Sequence, residues 1–300
     1  MASRRTWSLA ILAGLAGMAL LAAAAVYVLS ELQLRRTYQV LAEPALAPAA
    51  DSASVARGWH LARSVATCVL CHGEDLGGAV YADAGPLGLI SGPNLTRGRG
   101  GIGADRTVAD WERAIRHGIR PDGTSLIVMP SEVYVALSDE DLMALIASLQ
   151  QLPPVDREVE PTHFRFLGRA LLAAGRLPLL VAGKTPRREH VAAVPRQADA
   201  EYGRYLADIG GCHGCHGHGL SGGRVAGPPD LPPASNLTPT GLAGWAEADF
   251  VRAMRDGVRP TGVALHDFMP WRVLGRMTDA ELHALWLYLQ SVPPRAYGNK

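Results

Sequence analysis

Apolar positions fall into distinct patterns along the 300-residue chain. After Arg4 and Arg5, residues Trp7 to Leu29 carry no charge. As a helix this run is about 34 Å long at 1.5 Å per residue, enough to cross a hydrocarbon core of roughly 30 Å. Further on, Leu142, Leu145, Ile146 and Leu149 recur at helical spacing, as do Leu282, Leu285 and Leu289. Each of these stretches opens on a capping-box sequence, Ser138-Asp139-Glu140-Asp141 or Thr278-Asp279-Ala280-Glu281, and stops at a Pro-Pro pair. Their acids therefore read as helix starters rather than catalysts. Two further helices are predicted over 108–117 and 246–256, each ending at a glycine suited to a C-cap. No strand-rich stretch stands out, so the predicted class is all-α.

The same words return at an offset of 139 to 145 residues. Gly58-Trp59-His60-Leu61-Ala62 answers Gly203-Arg204-Tyr205-Leu206-Ala207, and Asn94-Leu95-Thr96 answers Asn236-Leu237-Thr238. The run from Arg113 to Pro121 answers Arg252 to Pro260, and Met129-Pro130 answers Met269-Pro270. A period this long indicates two copies of one domain rather than a solenoid. The expected organisation is a membrane anchor over 1–37, an Ala/Pro-rich tether over 38–54, a first domain over 55–154, a connector over 155–198 and a second domain over 199–300. Gly58 and Gly203 mark places where a second backbone approaches closely.

A cleaved leader, processed near Ala22 to Ala25, competes with the anchor. The apolar run exceeds a leader's core of roughly 7–15 residues, which favours the anchor. Arg35 and Arg36 follow the span as Arg4 and Arg5 precede it, so charge alone leaves its direction open.

Composition narrows the chemistry. A net charge of +1 gives no electrostatic case for nucleic acid. Locally, residues 51–150 carry 8 basic against 12 acidic side chains, residues 151–198 carry 8 against 4, and residues 199–300 carry 9 against 10. That asymmetry suits docking of the connector on the first domain, or steering of a partner. The connector is also too long and apolar for a free linker; it is expected to lie across both domains and fix their orientation.

All four cysteines sit in Cys68-Val69-Leu70-Cys71-His72 and Cys212-His213-Gly214-Cys215-His216. Cys-x-x-Cys-His reads as a covalent attachment site for a c-type haem: two thiols one turn apart bond the porphyrin's vinyl groups, and the histidine beneath becomes the proximal ligand. A zinc ribbon would bring its pairs within about 15–20 residues, whereas these lie 144 apart. A thioredoxin-like pair would follow a strand in a β/α pattern. Two covalently attached haem c groups are therefore expected. Among seven methionines, Met129 and Met269 fall at equivalent loop positions, each before a proline, and are the expected sixth ligands opposite His72 and His216. Thioether ligation raises the potential. Met143, Met254 and Met277 read as core filler. His117 and His266 lack histidine counterparts, and His213 and His218 sit too near the second motif to cross to its far face.

These motifs, with Gly92-Pro93-Asn94-Leu95-Thr96, its echo Ser235-Asn236-Leu237-Thr238, and a glycine (Gly123, Gly262) ahead of each Met-Pro, resemble membrane-anchored dihaem c-type cytochromes. The resemblance is to cytochrome subunits of bacterial membrane-bound dehydrogenases. It covers about two-thirds of the chain. It implies haem domains on the periplasmic side of the inner membrane, and a loop carbonyl, from Pro93, holding the proximal imidazole; Ser235 replaces proline in the second copy. It also implies redox-protein partners. The expected role is an electron carrier rather than an enzyme, between a membrane-bound or periplasmic dehydrogenase or quinol-oxidising complex and an oxidase or soluble carrier. A haem enzyme, such as a dihaem peroxidase or sulfur-compound dehydrogenase, and a redox or gas sensor are the alternatives.

Overall fold

The computed structural model describes residues 4–39, 46–48, 51–186, 191–225 and 231–298; residues 40–45 and 49–50 of the tether expected over 38–54 lie outside them. Helix α1 runs Arg4–Leu34 as one uninterrupted helix whose segment Trp7–Leu34 is long and apolar enough to span a membrane, with its apolar side chains exposed.

Each sequence copy then builds the same series of helices. In the first, α2 (Ser52–Arg63) leads to α3 (Val69–His72), α4 (Val108–Glu112), α5 (Ser131–Tyr134) and α6 (Asp139–Gln150). Between α3 and α4 lie strands β1 (Ala79–Asp83) and β2 (Gly88–Gly92). After α6 come strand β3 (His163–Phe164) and helix α7 (Phe166–Ala173). The second copy supplies α8 (Ala200–Ile209), α9 (Cys212–His216), α10 (Glu247–Asp256), α11 (Trp271–Leu274) and α12 (Asp279–Ser291).

The helix starts are where capping chemistry puts them. Asp51, Ser138, Asp199 and Thr278 each accept a backbone N–H from the first turn, and Thr278 with Glu281 forms a full capping box. Within each copy the first and last helices cross in direct backbone contact. A Cβ on Gly58 would overlap the Ala144 carbonyl, and one on Gly203 would overlap that of Ala284. The close approach expected at both glycines is present, and it lets Leu61, Leu142 and Ile146, or Leu206, Leu282 and Leu285, form continuous buried cores.

Two features differ from the expectations. The helix expected over 108–117 is α-helical only to Glu112 and then widens into a π turn, Arg113–His117, before left-handed Gly118; its counterpart α10 stays α-helical to left-handed Gly257. A small antiparallel sheet, β1-β2-β3, is also present, its third strand supplied by the connector. With two to five residues per strand and a bulge at Tyr81, it carries too little alternation to register in sequence.

The connector lies along the first copy, not across both. Among the described residues its long-range hydrogen bonds run to that copy and to α1. Arg157 pairs with Asp75, Arg165 with Asp83, and Arg196 with Glu140. The basic connector thus docks on the acidic first copy, one of the two outcomes its charge balance suited.

The two copies meet through a buried polar cluster. Arg57 of α2 forks onto Asp141 of α6 (2.9 Å to each oxygen) and reaches Glu281 of α12 at 2.8 Å. His60 lies 2.6 Å from Glu281, and the Tyr205 hydroxyl lies 2.9 Å from Asp141. His60 and Tyr205 are equivalent in the repeat, as are Asp141 and Glu281, so the contact is approximately self-complementary, as in a two-fold dimer. Burial alone would raise the Glu281 carboxyl, but His60 and Arg57 hold it down at about 2.

Candidate haem sites

Each Cys-x-x-Cys-His motif forms a single helical turn. Cys68 opens α3 and its carbonyl accepts the His72 N–H at 3.0 Å; Cys212 to His216 is α9. One turn places both sulfurs on a common edge with the histidine just beyond. The chain then reverses at Gly73 and Gly217, both at φ +79°, and the return loop brings a carbonyl under the ring. His72 Nδ1 donates to Pro93 O at 2.9 Å and His216 Nδ1 to Ser235 O at 2.7 Å. The Pro93 contact implied by the resemblance is therefore present, and Ser235 performs the same service without proline because only its carbonyl is used. With Nδ1 engaged, Nε2 is the nitrogen left to a metal. Burial lowers both imidazoles, only partly countered by these bonds, so both rings are neutral at pH 7.

The thiols lack the lowered acidity of a redox pair. Burial pushes Cys68 and Cys212 up to about 12 and Cys71 to about 11, whereas a reactive dithiol needs a lowered value. Among the described residues, no group of three or more His, Cys, Asp or Glu side chains gathers as a metal cage. Two buried indole N–H groups, of Trp111 in the first copy and Trp271 beside Met269-Pro270 in the second, lack an acceptor in the polypeptide. A neutral imidazole with a free Nε2, paired thiols and unanswered indole donors together fit a bound haem.

Met129 and Met269 lie partly buried against the core, each at the end of a loop of matching geometry. Arg120 N donates to Thr124 O and Arg259 N to Val263 O, and left-handed Gly123 and Gly262 close the turns. The ladder then continues as Leu126 N to Gly118 O and Leu265 N to Gly257 O, each 2.6 Å. The rival histidines take other parts: His213 pairs with Asp208 at 3.3 Å, and His266 Nδ1 accepts the Phe268 N–H at 3.1 Å.

Three roles escaped the sequence reading. The repeated Asn-Leu-Thr is a clamp: Asn94 and Asn236 accept from Thr96 and Thr238, and their amides donate to Val155 O and Arg295 O just past each Pro-Pro. Arg259 Nη2 donates to Ser235 Oγ at 3.0 Å, beside the carbonyl that holds His216; the repeated Arg-Pro was its available signal. Tyr81, on the β1 bulge, has its phenol raised by burial and further by Cys71 and Cys215, one cysteine from each motif.

Residues 53–147 match the family model described as cytochrome c oxidase, cbb3-type, subunit III. The chain is 30% identical over 271 residues to the fructose dehydrogenase cytochrome subunit of Gluconobacter japonicus, covering 81% of this chain and 53% of that protein. It is likewise 30% identical over 288 residues to the cytochrome c subunit of the quinone alcohol dehydrogenase of Gluconacetobacter polyoxogenes, covering 86% of this chain and 60% of that one. A diheme c-type cytochrome of Cereibacter sphaeroides is 30% identical over 205 residues, or 62% of this chain and 66% of that protein. The chain thus spans little more than half the length of the first two relatives. Motif, fold and likeness agree: the chain belongs to the c-type cytochromes and is similar to the cytochrome subunits of membrane-bound dehydrogenases.

Proposed function

We propose that this chain is a two-haem electron conduit anchored by α1, with one haem c joined to Cys68 and Cys71 and the other to Cys212 and Cys215. His72 with Met129, and His216 with Met269, would hold the two irons. The observation that carries this reading is the duplicated turn in which a buried, neutral histidine is oriented through Nδ1 by a loop carbonyl, at 2.9 and 2.7 Å. When bound, each iron supplies reversible one-electron exchange. The polypeptide fixes the ring orientation, keeps water off the imidazole and places the two sites on one rigid frame. With His72 and Met129, and His216 and Met269, holding the irons, no ligand position would be open to a substrate, and the chain would carry electrons rather than catalyse a reaction.

The relatives' names support a dehydrogenase as electron donor; the other partner in this reading is an oxidase or a soluble carrier. The haem-bearing part then faces the periplasm, where such haems are attached. Intact mass measured after expression with a haem-attachment system tests the count: two haem additions are expected, and one or none overturns the reading. Met129→Ala and Met269→Ala should each remove about half of the long-wavelength ferric absorption given by methionine-ligated haem. An unchanged spectrum in either variant would show that its methionine is not a ligand.

A further inference from the structure

The foot of α1 and helix α7 form one packed unit. The Tyr27 and Phe166 rings lie 6.3 Å apart, and Arg169 stacks over Tyr27 at 5.0 Å. Arg169 Nη1 also donates to Ser30 Oγ and Glu31 Oε2, both at 3.0 Å, and Gln33 Nε2 donates to Ala173 O at 3.4 Å. Contacts that advance together along both helices show that α7 runs parallel to α1, its N-terminal end beside Tyr27. On its other face α7 is fastened to the first copy: a Cβ on Gly168 would overlap the Leu87 carbonyl, and Leu172 is buried. At the tip, Phe166 and Leu167 remain 50% and 45% exposed.

The level of that tip follows from helix geometry. Trp7 and Tyr27 are separated by about 30 Å of helix, the thickness of a hydrocarbon core, and aromatic residues favour both membrane interfaces. Placing Trp7 and Tyr27 at the two interfaces puts Glu31, Arg35 and Arg36 outside the hydrocarbon and Phe166 and Leu167 at its edge. At this level stand Arg165 and Arg169, paired with Asp83 and Glu31, while Arg35, Arg36 and Arg176 follow about 12–15 Å further along the two helices, on the aqueous side. An apolar tip with a surplus of arginines on its aqueous side suits lipid at its boundary with anionic headgroups.

The geometry points to α7 as a second membrane contact: Phe166 and Leu167 enter the leaflet on the haem-bearing side, while the neighbouring arginines meet lipid phosphates. The first copy is thereby seated on the bilayer instead of swinging from the anchor. This rests on reading α1 as a membrane span.

The test uses the full haem-loaded chain in vesicles of phosphatidylethanolamine and phosphatidylglycerol carrying a diazirine on the acyl chain. After photolysis, adducts are mapped by mass spectrometry. Peptides from α1 and from the start of α7 should both carry adducts, while Val263 and Phe268, equally apolar and exposed in the second copy, should not. Phe166→Asp with Leu167→Asp should abolish the α7 adducts and leave those on α1. Labelled α1 with unlabelled α7 overturns the inference alone; unlabelled α1 overturns the anchor. Labelling of Val263 and Phe268 as strong as that of α7 would mean that the probe reads exposure, which also overturns it.

Discussion

The two methionine loops share sequence, turns and ladder bonds, yet one is wrapped and the other bare. In the first copy, Ser125 Oγ accepts from Val181 N and Ala182 N, Val128 N donates to Leu179 O, and Tyr38 N donates to Gly123 O. Connector and juxtamembrane chain thus flank the Met129 loop, leaving Ser125 1% and Val181 4% exposed. The matching loop of the second copy has no such cover among the described residues, and Val263 and Phe268 stand 56% and 46% exposed. The same contrast holds at the arginine ending the middle helix. Arg116 is fully buried with Asp139 at 2.5 Å and Glu112 at 3.2 Å, whereas Arg255 meets a largely exposed Asp279 at 2.7 Å. A duplicated fold therefore offers two different surfaces, because a single connector covers one copy. The wrapped copy adjoins the anchor helix; the matching loop of the second copy is the more exposed of the two.

Substitutions can break this comparison at its joint first. Arg57→Ala leaves Asp141 and Glu281 buried without their shared cation, a loss of about 3–5 kcal/mol for a broken buried pair. Calorimetry should then resolve two unfolding transitions in place of one. A single unshifted transition would mean that the cluster does not couple the copies.

At the next level, Arg116→Ala should cost about 3 kcal/mol or more in chemical denaturation and Arg255→Ala about 1 kcal/mol or less, since an exposed pair is screened. Equal costs would show that the connector's cover does not change the energetics of this pair.

Acid titration tests the joint without mutation. Glu281 is held at about 2 against an ordinary 4.5, so its stabilisation is complete above pH 4.5 and is lost as pH falls towards 2. Glu281→Gln should flatten the dependence of unfolding free energy on pH over that window. Persistence of the full slope would place the titrating group elsewhere.

The smallest effect is expected at the bare loop. Val263→Ser should change stability by no more than about 0.5 kcal/mol, as surface changes usually do. Val181→Ala, under the wrapped loop, should cost about 1 kcal/mol. A comparable loss at Val263 would reveal a cover that the bare loop does not display.

Much of this architecture was legible because it depends on local chemistry. Helix starts follow side chains that cap their own first turn, as at Ser138 and Thr278, and Gly58 and Gly203 announced close backbone contacts. Ser235 was harder, because a backbone carbonyl bonds His216 whatever side chain it carries. The sheet escaped notice because its third strand arrives from 71 to 76 residues away in the connector, and Leu89 pairs with His163 only once the chain has folded back.

By itself the sequence showed the apolar span, the duplication and the haem-attachment motifs, since spans, repeats and attachment motifs are written in contiguous residues. Only the tertiary structure decided that Arg57 and His60 of one copy meet Glu281 of the other, that the connector shelters a single methionine loop, and that α7 lies against the foot of the anchor. Those outcomes depend on pairing and burial between residues far apart in the chain, where the favoured partner is selected by competition among packed surfaces.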